Sequence, residues 1–216
     1  MTQPLRGTDG EPVGLRERKK MKTRQAIQEH ALRLFRELGY DGTTVVQIAE
    51  AAEVSPSTFF RYFPTKEDVV LFDALDPMVI DSFRRQPPDL SPIQALRGAL
   101  HETFGALTAE QVGEQLERGH LIFGVPDLQA VWVAETVRTS RLMAGLFAER
   151  VGRAPDDLQI LVYTGAVLGA MMAAMIPVVQ NPDADFMWSL DSALDFLEEG
   201  LQISPGRRCC RRRRVA

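Results

Sequence analysis

The sequence predicts an all-α protein of about nine helices, divided into a small N-terminal and a larger C-terminal helical domain. Apolar residues recur at intervals of three and four along most of the chain, which is the period of an amphipathic helix. Ser, Thr and Pro stand at the starts of these segments, and Gly or Pro stands near their ends, as expected at helix boundaries. The sequence lacks the alternating pattern of a β-hairpin.

The first helix is predicted from Arg16 to Leu38, after a flexible arm at 1–15 that is rich in Gly, Pro and polar residues. Its apolar residues fall on one stripe, which consists of Ile27, Ala31, Leu34, Phe35 and Leu38. Gly39 follows at the position where a glycine commonly ends a helix.

Two short helices come next. Thr44 is predicted to cap a helix at 45–52, because its hydroxyl can accept a bond from a free backbone N–H of the first turn. Ser55 and Pro56 have the pattern of an N-cap followed by proline in the first turn, which predicts a second helix at 56–63.

Pro64 ends this second short helix, and Thr65 is predicted to cap a longer helix that runs to about Arg85. We therefore assign a helix-turn-helix motif to residues 44–63. It lies within an N-terminal domain at 16–83.

The Pro-rich segment 84–92 is the predicted domain boundary, and the C-terminal domain is assigned to 84–206. Only helical patterns follow the boundary, at 92–108, 109–120, 128–151, 156–180 and 184–203. The basic tail 207–216 is either a source of additional electrostatic affinity for DNA or a disordered end.

Charge divides the chain in the same way. Residues 14–36 carry eight Lys or Arg against two Glu, a net charge of +6. Residues 69–206 carry eight Lys or Arg against nineteen Asp or Glu, a net charge of −11. A basic front on an acidic body indicates an anionic partner that binds the front alone, and nucleic acid is the obvious candidate.

The stretch SPSTFFRYFPTKED at 55–68 contains four aromatic residues within five positions. On a helical wheel, Phe59 and Phe63 face the preceding helices, and packing rather than intrinsic propensity would hold so short a helix. The opposite face presents Ser57, Thr58 and Arg61, with Phe60 and Tyr62 on its flanks. Such a helix is typical of the second helix of a helix-turn-helix, which enters the major groove.

Arg61 can contact either guanine or a phosphate, and the sequence leaves both roles open. Lys66 stands in the first turn of the next helix, where a cation is unfavourable for the helix dipole unless a phosphate docks there. Thr44 holds the equivalent position on the first short helix. The basic run RERKKMKTR at 16–24 would add contacts to the DNA backbone.

Residues 16–72 resemble the DNA-binding domain of the tetracycline-repressor (TetR) family. The resemblance is carried by ALRLFRELGYDGTT, VVQIAEAAEVSPSTFFRYF and FPTKEDVV. It implies that DNA is contacted by Thr44, Pro56, Ser57, Thr58, Phe60, Arg61, Tyr62 and Lys66. Glu53 departs from the family pattern, since glycine is common at this turn position, and a positive φ there would cost Glu about 1 kcal/mol.

The segment 158–180 has no charged residue and is long enough to span a membrane. Its flanks are acidic, and a helix that is apolar all round also suits a buried helix of a bundle. We favour a homodimer formed by helices 156–180 and 184–203, as the resemblance implies, over an anchor that tethers a DNA-binding protein to a membrane.

The resemblance also implies a ligand-responsive regulator, usually a repressor, which a small effector releases from a palindromic double-stranded DNA operator. The apolar balance of the C-terminal helices favours a hydrophobic or amphipathic effector. Candidate pocket residues are His101, Phe104, Leu107, Phe123, Trp132, Arg138, Met143, Met171 and Met175. Arg138 and Arg141 would suit an acidic head group, although exposed helix arginines are the simpler interpretation.

Other function classes find little support in the sequence. The only cysteines, Cys209 and Cys210, are adjacent in the tail, which is neither a disulfide framework nor a metal-binding spacing. The sequence shows no metal cluster, phosphate loop or nucleophile with a base, so we expect neither an enzyme nor a cofactor. The N-terminus lacks the apolar run of a secretory signal, which predicts a cytoplasmic protein.

Overall fold

The computed structural model describes residues 14–73, 75–181 and 184–201, which form ten α-helices and no β-strand. The helices are α1 (Leu15–Leu38), α2 (Val45–Ala51), α3 (Pro56–Tyr62), α4 (Lys66–Leu71), α5 (Asp76–Arg85), α6 (Pro92–Gly105), α7 (Ala109–Gly124), α8 (Pro126–Val151), α9 (Leu158–Gln180) and α10 (Phe186–Glu198). The all-α prediction is confirmed. Most predicted helix ends lie within five residues of the observed ones, and the end of the helix that begins after Thr65 is the exception.

Two sequence-based assignments fall largely on other residues. The predicted arm at 1–15 lies outside the described residues except for its last two positions, and the basic tail 207–216 lies wholly outside them.

The first four helices enclose a hydrophobic core centred on Phe59. The Phe59 ring is fully buried and contacts the Phe63 ring, with 6.0 Å between centroids. Around them lie buried apolar side chains from α1, α2 and α4: Ile27, Ala31, Phe35, Ile48, Val69 and Val70. This packing stabilises α3, which has only seven residues and would be unstable alone.

Each short helix of this unit begins with a side-chain cap, as the sequence predicts. The capping hydroxyl accepts a hydrogen bond from the backbone N–H three residues later, at 3.3, 3.1 and 3.2 Å, in the pairs Thr44–Gln47, Ser55–Thr58 and Thr65–Asp68. These caps satisfy donors that have no partner within the helix.

The turn between α2 and α3 requires a left-handed residue, and that residue is Glu53, with φ of 53°. Its N–H donates to the Glu50 carbonyl at 3.1 Å, and the Val54 N–H donates to the Ala49 carbonyl at 2.9 Å. This pair of bonds is a Schellman motif, in which glycine usually holds the position of Glu53. The condition under which Glu53 would be strained, a positive φ, is therefore met.

The helix predicted from Thr65 to about Arg85 is divided, and this prediction was wrong. α4 ends at Leu71, Phe72 turns out of the helix with ψ of 120°, and α5 begins at Asp76. Pro77 explains the break, because a proline within a continuous helix would clash with the carbonyl four residues earlier and remove a backbone donor. Pro77 instead lies in the first turn of α5, where its missing N–H costs nothing.

Helices α5 to α10 form the C-terminal part, with a second core around Phe147. Phe83, Phe147 and Tyr163 stack in sequence at 5.8 and 5.4 Å, and the Tyr163 hydroxyl accepts a bond from the Ile93 N–H at 3.0 Å. Phe83 of α5 belongs to the second core, whereas Ile122 of α7 and Leu128 of α8 belong to the first. The two cores therefore do not divide at one point in the chain, and the boundary at 84–92 stays a prediction.

The two parts are joined at the end of α4. The Phe72 carbonyl accepts hydrogen bonds from Gln28 of α1 at 2.6 Å and from Arg118 of α7 at 3.0 Å. Arg118 also pairs with Asp73. One turn of chain therefore holds α1, α4 and α7 together, and we call it the α4–α7 junction.

The α4–α7 junction has a second ion pair beside it. The Arg36 guanidinium of α1 contacts the Glu117 carboxylate of α7 at 2.8 Å. Glu117 precedes Arg118 in the chain, so neighbouring residues of α7 engage two different helices of the N-terminal part.

One side of α9 packs inside the protein and the other is exposed. Ile160, Thr164, Val167, Ala174 and Val178 are buried on one stripe. The opposite stripe contains Leu158, Leu161, Val162 and Ile176, all exposed, together with Gly165 and Gly169. By length and composition, α9 is the one helix among the described residues that is apolar enough to cross a membrane.

The strain at Glu53 makes a first prediction. Glu53→Gly should raise the melting temperature by about 2–4 °C, because it removes about 1 kcal/mol of left-handed strain. Thermal unfolding followed by circular dichroism measures this shift. Glu50→Gly, within α2, is the matched control and should lower the melting temperature. If Glu53→Gly lowers the melting temperature, the positive φ of Glu53 does not destabilise the protein as proposed.

A second prediction concerns Asp76, which opens α5 beside the α4–α7 junction. Asp76 is exposed as a whole residue, but desolvation of its carboxyl, followed by the charge of Asp73, raises its pKa to about 6. The folded protein therefore binds this proton more tightly than the unfolded chain does, and stability should fall as pH rises from about 4 to 6.

Asp76→Asn should flatten this pH dependence and raise the melting temperature at pH 7. Melting curves between pH 4 and pH 8 test the expectation. Asp156→Asn, an exposed substitution in the loop before α9, should keep the wild-type profile. If the melting temperature of Asp76→Asn changes with pH as it does in the wild type, a group other than Asp76 causes the pH dependence.

Candidate nucleic-acid interface

The surface of α3 presents a small set of polar and aromatic side chains on the side opposite Phe59. Ser57 and Arg61 are exposed, and 52% of the surface of Phe60 is accessible. The Phe60 ring packs edge-on against Phe59 at 5.5 Å, which connects the surface to the core. The side chains that face outward are thus fixed by a buried ring behind them.

The start of α3 concentrates three hydroxyl groups. The Ser55 oxygen lies 2.9 Å from both the Ser57 and the Thr58 hydroxyl oxygens. Pro56 and Ser57 are exposed, whereas Thr58 is half-buried. Hydroxyls of this kind can donate to and accept from base edges or phosphates.

Arg61 lies at the other end of the same surface. Its guanidinium stands 5.3 Å from the centre of the Tyr62 ring, which is half-buried. Stacking of this kind holds the guanidinium near the helix while leaving its donors available for bidentate recognition.

Thr44 marks the start of α2 and is also exposed. Its hydroxyl donates to the Gln47 side chain at 2.9 Å, and the Gln47 oxygen accepts from the Thr44 N–H at 2.8 Å. This reciprocal cap leaves Val46, 52% accessible, facing outward beside it.

Lys66 lies in the first turn of α4, as the sequence predicts, but its hydrogen-bond partners were not predicted. Its ammonium donates to the carbonyls of Tyr40 and Thr43 at 2.8 and 3.2 Å, and it stands 3.9 Å from the centre of the Tyr40 ring. Lys66 therefore fastens the start of α4 to the turn that precedes α2. Its charge remains close to that turn.

The turn itself is held by two buried residues that sequence reasoning missed. The Thr43 hydroxyl lies within hydrogen-bonding distance of the Gly39 carbonyl at 2.8 Å, and the Tyr40 hydroxyl donates to Glu67 at 2.7 Å. Burial and this bond to Glu67 raise the pKa of Tyr40, so its hydroxyl stays protonated at neutral pH. The sequence signals that could have indicated this turn are the Gly-Tyr pair before Asp41 and the Thr-Thr pair after it.

The basic half of α1 approaches the end of α3. Arg24 stands over the Phe63 and Phe72 rings at 5.9 and 5.3 Å, and its guanidinium lies 3.5 Å from the Tyr62 carbonyl oxygen. One turn earlier, Lys19 and Lys20 are exposed. Arg24 thus ties α1 to the end of α3, and the basic residues that precede it lie on the same helix.

A cavity of about 380 Å³ lies in the C-terminal part, between the end of α6, the middle of α7 and the start of α10. Of the nine residues named from the sequence as pocket candidates, His101 and Phe104 line this cavity. The other seven, which are Leu107, Phe123, Trp132, Arg138, Met143, Met171 and Met175, are not among its lining residues.

Several of these seven pack in one of the two cores or lie on the surface. Phe123 and Trp132 stack on each other at 5.1 Å against the first core. Met143 and Met171 belong to the second core. Arg138 is exposed and pairs with Glu135 at 2.7 Å on the surface of α8.

Among the residues that the structure describes, no group of three or more His, Cys, Asp or Glu side chains has the arrangement of a metal site. The polar groups of the interface are hydroxyls, amides and cations. This chemistry suits hydrogen bonding to an anionic polymer.

Comparison with known proteins agrees with this geometry. Residues 27–71 match the model of bacterial regulatory proteins of the tetR family, and residues 90–202 match the MftR C-terminal domain of TetR proteins. The transcriptional regulator TcmR of Streptomyces glaucescens is 36% identical over 163 residues, which cover 72% of each chain. MftR of Mycobacterium tuberculosis is 26% identical over 192 residues, 85% of this chain and 93% of that protein.

A solved structure shares the fold. FadR of Thermus thermophilus, a TetR-family repressor crystallised with lauroyl-CoA, superposes with a TM-score of 0.56 over 85% of this chain and 97% of that one, at 24% identity. The family models cover both parts of the chain, and the relatives are transcriptional regulators with a helix-turn-helix. The chain belongs to the TetR family of transcriptional regulators.

Proposed function

We propose that the protein is a dimeric repressor that binds a palindromic operator through α3 and is released by a small effector. The observation that carries this proposal is the outward surface of α3, whose side chains are held by the buried Phe59. Because its backbone is already ordered, a helix fixed in this way can enter a major groove at a smaller entropic cost than a flexible segment.

Each residue of the proposed DNA interface has a physical role. Ser57, Thr58 and Arg61 face the bases, and Phe60 and Tyr62 flank them with apolar edges that suit thymine methyl groups. Thr44 and Pro56 lie at the starts of α2 and α3, where phosphates approach free N–H groups. Lys66 adds positive charge behind the turn that precedes α2.

The exposed stripe of α9 supports the dimer. A helix buried on one side by α7, α8 and α10 cannot leave the protein to cross a bilayer without drawing their charged surfaces into it. The same stripe covered by a second copy removes its apolar surface from water. Gly165 and Gly169 allow two backbones to approach closely there. Trp188 and Phe196 of α10, 69% and 38% accessible, offer further apolar surface on the helix that packs along α9.

We propose a cytoplasmic location, in keeping with a regulator that reaches DNA. We also propose that the effector acts through α7, because this helix both lines the cavity and carries Arg118 at the α4–α7 junction. An occupant that shifts α7 would change the positions of α1 and α4, and hence the spacing of the two α3 helices. Such coupling needs only that the effector binds one arrangement more tightly.

The DNA proposal predicts that Arg61→Ala weakens operator binding by about 5- to 150-fold, the loss expected for one good base contact. The measurement is fluorescence anisotropy with a duplex that the wild-type protein selects from a randomised pool. Arg138→Ala, an equally cationic but distant exposed side chain, is the matched control and should bind as the wild type does.

The same titration separates the two roles of Arg61. A base contact relaxes sequence preference at one position, whereas a phosphate contact weakens all sequences alike and lowers the salt slope by about one. If the wild-type protein selects no duplex, or if Arg61→Ala leaves binding unchanged, the proposed interface is wrong.

The dimer proposal predicts that Val162→Glu gives a monomer, because it places a charge on the exposed stripe of α9. Light scattering after size exclusion gives the mass. Val133→Glu on α8 is the matched control, since Val133 and Val162 are similarly accessible at 60% and 64%. A dimer that persists in Val162→Glu contradicts the proposed interface, and a wild-type protein that needs detergent for extraction supports the membrane anchor instead.

A further inference from the structure

The cavity between α6, α7 and α10 has an apolar floor. Phe104 of α6 and Phe186 of α10 stack with 5.3 Å between ring centres, and Val112 and Leu116 of α7 complete the floor. Its volume of about 380 Å³ falls at the lower end of the range for small-molecule sites. A flat, apolar body of one or two rings matches this space.

The acidic side chain that lines the cavity is Asp185, and its capping bond offsets the partial positive charge at the start of α10. In this bond Asp185 accepts from the Trp188 N–H at 3.0 Å. His101 lines the cavity as well, and its Nε2 lies 2.9 Å from a carboxylate oxygen of Asp191. The carbonyl end of α6, which finishes at Gly105 on the cavity wall, adds partial negative charge.

Positive side chains are already engaged elsewhere. Among the described residues that line the cavity, none is Lys or Arg. Arg97, one turn before His101 on α6, pairs with Asp195 at 2.6 Å and with Glu198 at 2.9 Å. An anion entering the cavity would therefore approach the Asp185 carboxylate with no Lys or Arg among the described lining residues to offset it, and that arrangement disfavours the anion.

We infer that the cavity binds an amphipathic organic cation, with its ring on the Phe104–Phe186 floor and its ammonium group near Asp185. This inference rests on the proposed function, since it names the ligand class of the effector. Leu116, on the cavity floor, lies two residues from Arg118. The occupant would thus contact the same helix that holds the α4–α7 junction.

Three probes with one ring system test the charge preference. They are 1-naphthylmethylammonium, 1-naphthylacetate and 1-naphthylmethanol, titrated by calorimetry into the full-length, DNA-free protein at pH 7.5. The cation should bind about tenfold more tightly than the anion, which is the order expected for a partly exposed carboxylate. Equal binding of the anion and the cation, or no binding of the cation, would overturn the inference.

Two substitutions locate the site. Asp185→Asn retains a helix cap while removing the charge, and it should bring the affinity of the cation close to that of the neutral alcohol. Gly105→Leu should weaken binding of the cation at least tenfold, because Gly105 lines the cavity and has open space around it, so that a leucine side chain there would take up part of the cavity volume.

The matched control is Gly113→Leu, since Gly113 on α7 likewise has open space and is not among the cavity's lining residues. It should bind the cation as the wild type does. Cation binding that survives in Gly105→Leu would place the probe elsewhere and overturn the assignment.

Release from DNA is measured separately, by anisotropy of the selected duplex with increasing cation. Selective binding followed by release supports both the cavity and its role as the effector site. Cation binding without release overturns the effector role. Calorimetry uses no DNA, so a wild-type protein that fails to retain DNA contradicts the proposed function alone.

Discussion

The position of Phe59 is the constraint on which the proposed DNA-binding surface depends. A seven-residue helix has too few internal hydrogen bonds to persist alone, so its geometry comes from the ring that it buries. Truncating a buried Phe typically costs about 3–5 kcal/mol, a large share of the stability of a domain this size. The same helix exposes Ser57 and Arg61 on its opposite side, so one side of α3 packs in the core and the other forms the proposed DNA-binding surface. The Schellman turn at Glu53 and the Ser55 cap then set the angle at which α3 leaves α2.

The contact between the N-terminal and C-terminal parts depends on the Phe72 carbonyl. A backbone oxygen has two lone pairs, and here Gln28 and Arg118 use both. Neither donor can be replaced by water without breaking a contact between helices that are far apart in sequence. The break after α4 makes this arrangement possible, since a continuous helix would have used the Phe72 carbonyl within its own turn. Pro77 is therefore the local cause of a long-range connection.

The features that the sequence predicted are local ones. Ser55 with Pro56, and Thr65 after Pro64, identify helix starts because the capping bond spans only three residues. Phe59 could be assigned to the core because helical periodicity alone separates it from Arg61. The partners of Lys66 could not be predicted, since they are carbonyls more than twenty residues earlier in the chain. The cavity was equally hidden, because many apolar residues share the helical period and only tertiary packing decides that Phe104, but not Trp132, faces it.

The two ends of the proposed signal lie on one rigid element. A sixteen-residue helix is about 24 Å long, and α7 carries the cavity floor on one side and Arg118 near its middle. If the helix moves as one body, a ligand against Leu116 would displace Arg118 in the same movement. Arg118 is tied to the end of α4, and Lys66 ties the start of α4 to the turn before α2. The six residues of α4 thus connect the cavity side of the molecule to the helix-turn-helix through hydrogen bonds at both ends.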